Sequence, residues 1–395
     1  MRFLNQVLAV TRLNILNLPR RLATSAVAIV GIMAVVVVFA AVMSMARGFE
    51  RTMSLTGADD IAIVLRGGAT AELNSGLSNE QTTIIAGTPG VMRDGDDPIA
   101  SAELFVLVDI RKRSNNKDAN VTLRGIQDGA FAVRENLEIV EGRMFETGKN
   151  EMIVGRGAQQ QFIGLETGTS IRFGRVDWQV VGAFEDGGSV TESEIWTDVR
   201  VLQDAYRRGN SFQSVRVKLE SADSLESFQQ TLADDPRVDV DVYSERDYFA
   251  SQAEGLTQFI ELLGYPITIL MAIGAVFGAL NSMYASVSAR GTEIATLRAL
   301  GFGPFAVLIS TIVESTLLAL AGGALGGALA FVVFNGLSVS TLAGNTFSQV
   351  VFDFAVTPDL LMQGLKVALV IGLVGGFLPA LRAARLPVAQ ALREL

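Results

Sequence analysis

Residues 26–45, AVAIVGIMAVVVVFAAVMSM, form a run without a single charge. As helix, at about 1.5 Å per residue, it matches the ~30 Å hydrocarbon core of a bilayer. The run exceeds the roughly 7–15 apolar residues of a cleavable leader, and 25 residues precede it, so a membrane anchor is expected. Three further segments read as spans: 262–285, 305–334 and 361–381. They carry Pro266, Glu314 and Lys366, which blur their edges, and Lys366 sits where its amine can snorkel to the interface. A composition of 49% hydrophobic and 18% charged residues agrees with a multi-pass membrane protein.

Basic residues in short flanks set orientation. Arg2, Arg12, Arg20 and Arg21 precede the first span with no acid among them, and Arg382, Arg385 and Arg393 follow the last. Both termini, 1–25 and 382–395, are therefore expected in the cytoplasm of a bacterial inner-membrane protein. The loop 335–360 has Asp353 and Asp359 but no Lys or Arg, as expected outside. The long segment 46–258 falls outside as well, and it holds 22 basic against 35 acidic residues. So acidic an exterior argues against a nucleic-acid partner.

The inventory narrows the chemistry. With no histidine and no cysteine, thiolate zinc sites, Ser/His/Asp triads and Cys/His dyads are excluded. Carboxylate pairs such as Asp59-Asp60 and Asp234-Asp235 lack the spacing of a calcium loop and read as solvated turns. No metal, cofactor or catalytic residue is expected. A phosphate loop requires Gly-x4-Gly-Lys-Ser/Thr, and none occurs. The one Gly-Lys pair, Gly148-Lys149, is followed by Asn150.

Segment 46–258 reads as a folded α+β domain of two lobes. Strands are expected at 60–65, 103–110, 120–126 and 214–219, with a hairpin over 170–184 turning near Gly174. Helices are expected at 78–86, with Ser78 as N-cap, at 198–206, and at 223–233, where SADS supplies caps. Stretches 46–55 and 244–258 meet the neighbouring spans without a Pro/Gly linker, so helices are expected to continue from span into domain as a stalk. The N-terminal FLNQVLAVTRLNILNLPRR alternates apolar with polar residues as an amphipathic helix suited to the inner leaflet and its lipids.

The fold class is thus an α-helical membrane protein with four transmembrane helices and a large extracytoplasmic α+β domain between the first two. This layout resembles the MacB/FtsX-type permeases, the membrane subunits of the mechanotransmission class of ABC transporters. The most specific match is RGTEIATLRALGFGPFAVLISTIVESTLLALAGGALGG, residues 290–327, beside the ending GFLPALRAARLPVAQALREL and the external LEIVEGRMF and EMIVG. With no phosphate loop here, fused motor–permease members are poor templates, and the likeness is to stand-alone permeases of the LolC/LolE and DevC type. The resemblance implies a homodimer or heterodimer of permease subunits. It also implies two copies of a separate cytoplasmic ATPase carrying ATP and Mg, and a periplasmic adaptor. The implied role is efflux or extraction of a hydrophobic substrate, lipid or lipoprotein. The alternative is an FtsX-like signalling protein that activates a cell-wall hydrolase.

Within 286–304 a short helix is expected, ending at Gly301 in a left-handed cap before Pro304. Arg290, Ile294, Leu297 and Gly301 fall on one stripe at 100° per residue, bordered by Glu293 and Arg298. In the family this is a coupling helix, so that stripe is expected to face the ATPase. Glu314, an acid within a span, is expected either to pair with an arginine of this stretch or to serve coupling. Gly274 and Gly278, Gly322, Gly323, Gly326 and Gly327, and Gly372 and Gly376 offer close helix packing, within one subunit or, as the alternative, at a dimer interface.

Overall fold

The computed structural model describes residues 2–17, 22–134, 136–342 and 348–387; for residues 2–5, 14–17 and 22–24 only the backbone is described. Arg20, Arg21 and residues 388–395, which carry part of the charge and motif arguments, lie outside the described residues.

Helices α1 (Arg2–Asn17) and α2 (Leu22–Leu55) open the chain. A mixed region follows with β1 (Ile61–Arg66), β2 (Leu77–Ser78), α3 (Asn79–Gly87), β3 (Arg93–Asp94), β4 (Asp97–Pro98), β5 (Ala100–Arg111) and β6 (Asp118–Ile126). It continues through α4 (Ala130–Val133), β7 (Glu138–Gly142), β8 (Glu151–Gly155), α5 (Arg156–Gln161), β9 (Ser170–Phe173) and β10 (Val176–Glu185). Then come β11 (Ile195–Asp198), α6 (Val199–Tyr206), β12 (Ser211–Phe212), β13 (Ser214–Lys218), α7 (Ser224–Ala233) and β14 (Val240–Ser244). The chain closes with α8 (Glu245–Ala289), α9 (Gly291–Ala299), α10 (Pro304–Phe334), β15 (Ser338–Leu342), β16 (Gln349–Asp353) and α11 (Pro358–Arg385). Helices α2, α8, α10 and α11 are long and apolar enough to cross a membrane and contain the four expected spans.

The chain forms two compact units. The first is helical and holds residues 1–47, 259–337 and 354–395. Glycines make it possible for its helices to approach closely. A Cβ on Gly322 would stand 2.8 Å from the Ile29 carbonyl oxygen and one on Gly326 2.8 Å from that of Met33, so α10 lies backbone-close to α2. On α11, Gly372 meets Ala319 and Gly376 meets Ser315, while Gly323 and Gly327 of α10 meet Ala368 and Leu361. Ile32, Val35, Val36, Ala319, Ala368 and Ile371 fill the centre. Gly274 and Gly278 do not pack within the subunit. An added Cβ there would meet nothing within 4 Å, because their face of α8 is turned away from the unit's other helices. The N-terminal helix also differs from a free amphipathic helix. It packs on α10 with Val10 buried, and Gln6 bonds to both Gly301 and Gly303.

The second unit comprises residues 48–258 together with 338–353. The β15–β16 hairpin, expected as part of a simple external loop, is therefore a piece of this domain. Lys112 Nζ bonds Gln349 Oε1 at 2.6 Å, and the Val351 amide donates to Ser193 Oγ at 2.9 Å. Ten strands run in the order β14-β1-β13-β5-β6-β11-β8-β10-β7, with β9 paired to β10. Instead of the two expected lobes, one sheet runs through the unit, because β5 bridges its halves: residues 100–103 pair with β13 and residues 104–111 with β6.

Local chemistry sets many of the boundaries. Ser78 caps α3 and Gln81 returns the bond to the Ser78 amide, satisfying two backbone groups at once. Asp198 Oδ1 accepts from the amides of Arg200 and Val201 at the start of α6. Gly174, at φ +59°, makes the β9–β10 turn. Asp223 precedes α7 but makes no capping bond, because its own backbone is already helical.

Candidate functional site

The turn between α8 and α10 is built around α9. Its C-terminal end is a Schellman motif: the Gly301 amide bonds the Arg298 carbonyl and the Phe302 amide the Leu297 carbonyl, each at 3.1 Å. Gly301, at φ +97°, supplies the left-handed residue, and Pro304 starts α10.

The structure turns the first half of the expected outward stripe, Arg290 and Ile294, inward, and leaves Gly301 at its end exposed. Arg290 is 4% exposed and its Nη2 donates to Glu314 at 2.6 Å and to Ser286 Oγ at 3.0 Å. Ile294 is buried with Val287, Val307 and Ala383. Leu297 and Arg298 are half-buried, and Arg298 donates to the Leu386 carbonyl. The physical reason is the ion pair: a carboxylate held in an apolar helix bundle needs a counter-ion, because a buried charge left unpaired is strongly destabilising. The face left outside consists of Thr292, Glu293, Thr296, Ala299 and Leu300, with Leu300 74% exposed.

The second unit holds a feature the sequence reading missed. Three arginines and four glutamates are buried together on one face of the sheet. Arg124 lies bidentate on Glu194, with Nε and Nη2 each at 2.7 Å, and reaches Glu72 at 2.7 Å and Glu103 at 3.0 Å. Arg134 forks onto Glu103, and Arg216 bonds Glu103, Glu72 and, through Nε at 2.6 Å, Glu245 at the start of α8. Trp196 and Ser214 donate to Glu194 and Glu72. A cavity of about 30 Å³ borders the network, lined in part by Glu72, Arg124, Tyr248 and Gln349.

Register puts these groups together. Arg124 lies opposite Phe105, and Arg216 opposite Ser101, so Ser101, Glu103, Phe105, Arg124 and Arg216 share a face. The alternate residues Ala102, Leu104, Val106, Leu123, Val215 and Val217 join the hydrophobic core on the other. The readable signal was a charge set among the apolar residues of three strands: Glu103 in ELFVLVDI, Arg124 in NVTLRGI and Arg216 in SVRVKL.

Burial alone would raise the Glu103 pKa, but Arg134, Arg216 and Arg124 outweigh it and hold it at about 2; Glu72 is likewise held well below the usual range. A carboxylate depressed in the folded state stabilises above its unfolded value and loses that contribution as pH falls through the folded value. The melting temperature of the detergent-solubilised chain is therefore expected to hold from neutrality to about pH 5 and to fall between the ordinary carboxylate pKa of 4.5 and about 2. Tryptophan emission reads this directly, since Trp178 and Trp196, both of the chain's tryptophans, lie in this domain. A melting temperature flat down to pH 2 would contradict the assignment.

Two families cover the chain. The MacB-like periplasmic core domain matches residues 22–235, and the FtsX-like permease C-terminal domain matches residues 266–388. The chain belongs to the MacB/FtsX-type ABC permeases. In this MacB/FtsX-type permease the first match covers α2 and most of the mixed domain, and the second holds α9, Arg290 and Glu314. It is 24% identical over 308 residues to the macrolide export ATP-binding/permease protein MacB of Pasteurella multocida (strain Pm70), covering 73% of this chain and 45% of that protein. To MacB of Escherichia coli (strain K12) it is 26% identical over 314 residues, covering 74% and 46%. The permease thus spans about half the length of these relatives. Among solved structures it is similar to the extracellular domain of the noncanonic ABC-type transporter YknZ from Gram-positive bacteria. That likeness has 21% identity and a TM-score of 0.35, covering 46% of this chain and 99% of that one. The periplasmic region of MacB from Actinobacillus actinomycetemcomitans is similar at 14% identity and a TM-score of 0.37, covering 52% and 94%.

Proposed function

We propose that this chain is the permease part of an ABC transporter, and that a separate cytoplasmic ATPase binds the outer face of α9 and moves the membrane helices and the mixed domain. The observation that carries this is α9 itself. It is a short helix fixed to its own unit at both ends, by Arg290–Glu314 and by Arg298–Leu386, with Leu300 projecting from its free side. A rigid helix with an exposed apolar knob suits a groove on a partner, since buried apolar anchors carry most interface energy.

Orientation in this reading places α9 in the cytoplasm and the acidic domain outside, on the strength of Arg12, Arg382 and Arg385 at the two ends. Membrane helices α2, α8 and α11 enclose a groove of about 240 Å³, walled by Phe39, Tyr265, Ile269, Ala272, Lys366 and Val367. Its apolar walls support a hydrophobic compound, lipid or lipoprotein as the substrate, in efflux or extraction, with pairing to a second permease subunit and an external adaptor in the same scheme.

A photo-crosslinking amino acid at position 300 tests the proposal in native membranes. It is expected to capture a protein identified by mass spectrometry as an ABC ATPase, whereas the same probe at Val332, at the other end of α10, is not. Leu300→Asp should abolish co-purification of that ATPase while the chain still inserts. If position 300 captures no ATPase, the coupling role of α9 is wrong.

A further inference from the structure

Helices α8 and α9 are separated by one residue. Arg290 follows Ala289 and precedes Gly291, with φ −105° and ψ 9°, and backbone bonds continue on both sides of it: its amide to Val287 and the Ile294 amide to its carbonyl. The angle between the two helices is thus held by a single backbone position and by whatever fixes its side chain. That side chain is buried, and its Nη2 ties three helices: Ser286 on α8, its own place at the head of α9, and Glu314 on α10.

Two details set this pair apart from a surface ion pair. The Arg290 Nε–H is buried and meets no acceptor among the described residues, so the guanidinium keeps an unused donor beside the Nη2 that grips Glu314 and Ser286. Neither charge is left alone in the bundle, since Arg290 and Glu314 are each other's counter-ions and both side chains are buried. The residues that would meet a partner, Thr296 and Leu300 among them, are on the opposite side of α9, and changing the clamp leaves their chemistry untouched.

We propose that Arg290, clamped by Glu314 and Ser286, is the positioning residue that sets the angle between α8 and α9, so that the clamp presents the outer face of α9 to the ATPase. This rests on the reading of α9 as the surface an ATPase engages.

The chain contains no cysteine, so Asn281→Cys on α8 and Thr296→Cys on α9, both at exposed positions, give a clean pair of spin-label sites in this chain. A single narrow distance distribution is expected for the parent. Arg290→Gln and Glu314→Gln should each broaden or split it and reduce ATPase capture by the position-300 probe. Arg290→Lys keeps the buried charge, so the unit stays folded, yet gives up the planar fork, and it too should broaden the distribution. Exchanging the pair, Arg290→Glu with Glu314→Arg, should restore both the narrow distribution and the capture. A distribution unchanged in Arg290→Lys, Arg290→Gln and Glu314→Gln overturns the clamp, whatever position 300 captures. A broadened distribution restored by the exchanged pair, with no ATPase captured even from the parent, upholds the clamp and overturns the coupling reading instead.

Discussion

Arg124→Met is expected to remove about 3–5 kcal/mol of stability from the mixed domain, a large share of the roughly 5–15 kcal/mol that holds a domain folded. Arg124 is 2% exposed and neutralises parts of Glu72, Glu103 and Glu194 at once. Methionine fills most of its volume but leaves those carboxylates buried with too little positive charge. The matched control is Arg113→Met, which removes an ion pair to Glu166 whose two side chains are 41% and 48% exposed. Screened by water, that pair is worth at most about 1 kcal/mol. Urea unfolding followed by tryptophan emission measures both. A loss at Arg124 no larger than that at Arg113 would show that the network is solvated in solution and contributes little.

Gly326→Leu is expected to prevent the helical unit from packing, whereas Gly274→Leu is expected to be tolerated. At position 326 the first added carbon would already sit 2.8 Å from a carbonyl oxygen of α2 and 3.0 Å from the Val36 side chain. Backbone cannot swing aside as a long side chain can, so the helices must separate, at about 1–3 kcal/mol or more for overpacking. At position 274 the same carbon has open space. Size-exclusion profiles of fluorescently tagged chains in mild detergent separate the outcomes: a collapsed monodisperse peak for Gly326→Leu and a normal one for Gly274→Leu. Equal behaviour of the two variants would contradict the packing described.

These glycines show what a sequence can and cannot tell. Small residues four apart are visible in all three spans, yet only a neighbouring helix decides which become contacts, and α8 turns its pair away from the rest of the unit. The same limit applies to α9. Its length, its Gly301 cap and the stop at Pro304 are written in nearest-neighbour chemistry and were legible. Which side faces inward depends on Glu314, twenty-four residues on, and on Ala383 in another helix, and periodicity identifies a stripe without naming its partner. Strands and caps of the mixed domain, such as Ser78 with Gln81 and Asp198 before α6, were readable for the same local reason. The buried charges were not. Arg124 and Glu194 meet across 70 residues, and a charge in a strand reads as a solvated position until the fold supplies its counter-ion.

The β15–β16 hairpin gives the domain an order of assembly. Residues 48–258 leave the ribosome as one block, but the pieces that bond Lys112 and Ser193 come only after α8 and α10 have been made. A chain folds its earlier parts first, so the mixed domain waits, nearly complete, while two membrane helices are inserted behind it. Its last strands then arrive from beyond the third span. Completion of the domain therefore awaits the synthesis of α8 and α10, and until β15 and β16 follow them the Lys112 and Ser193 positions lack these partners.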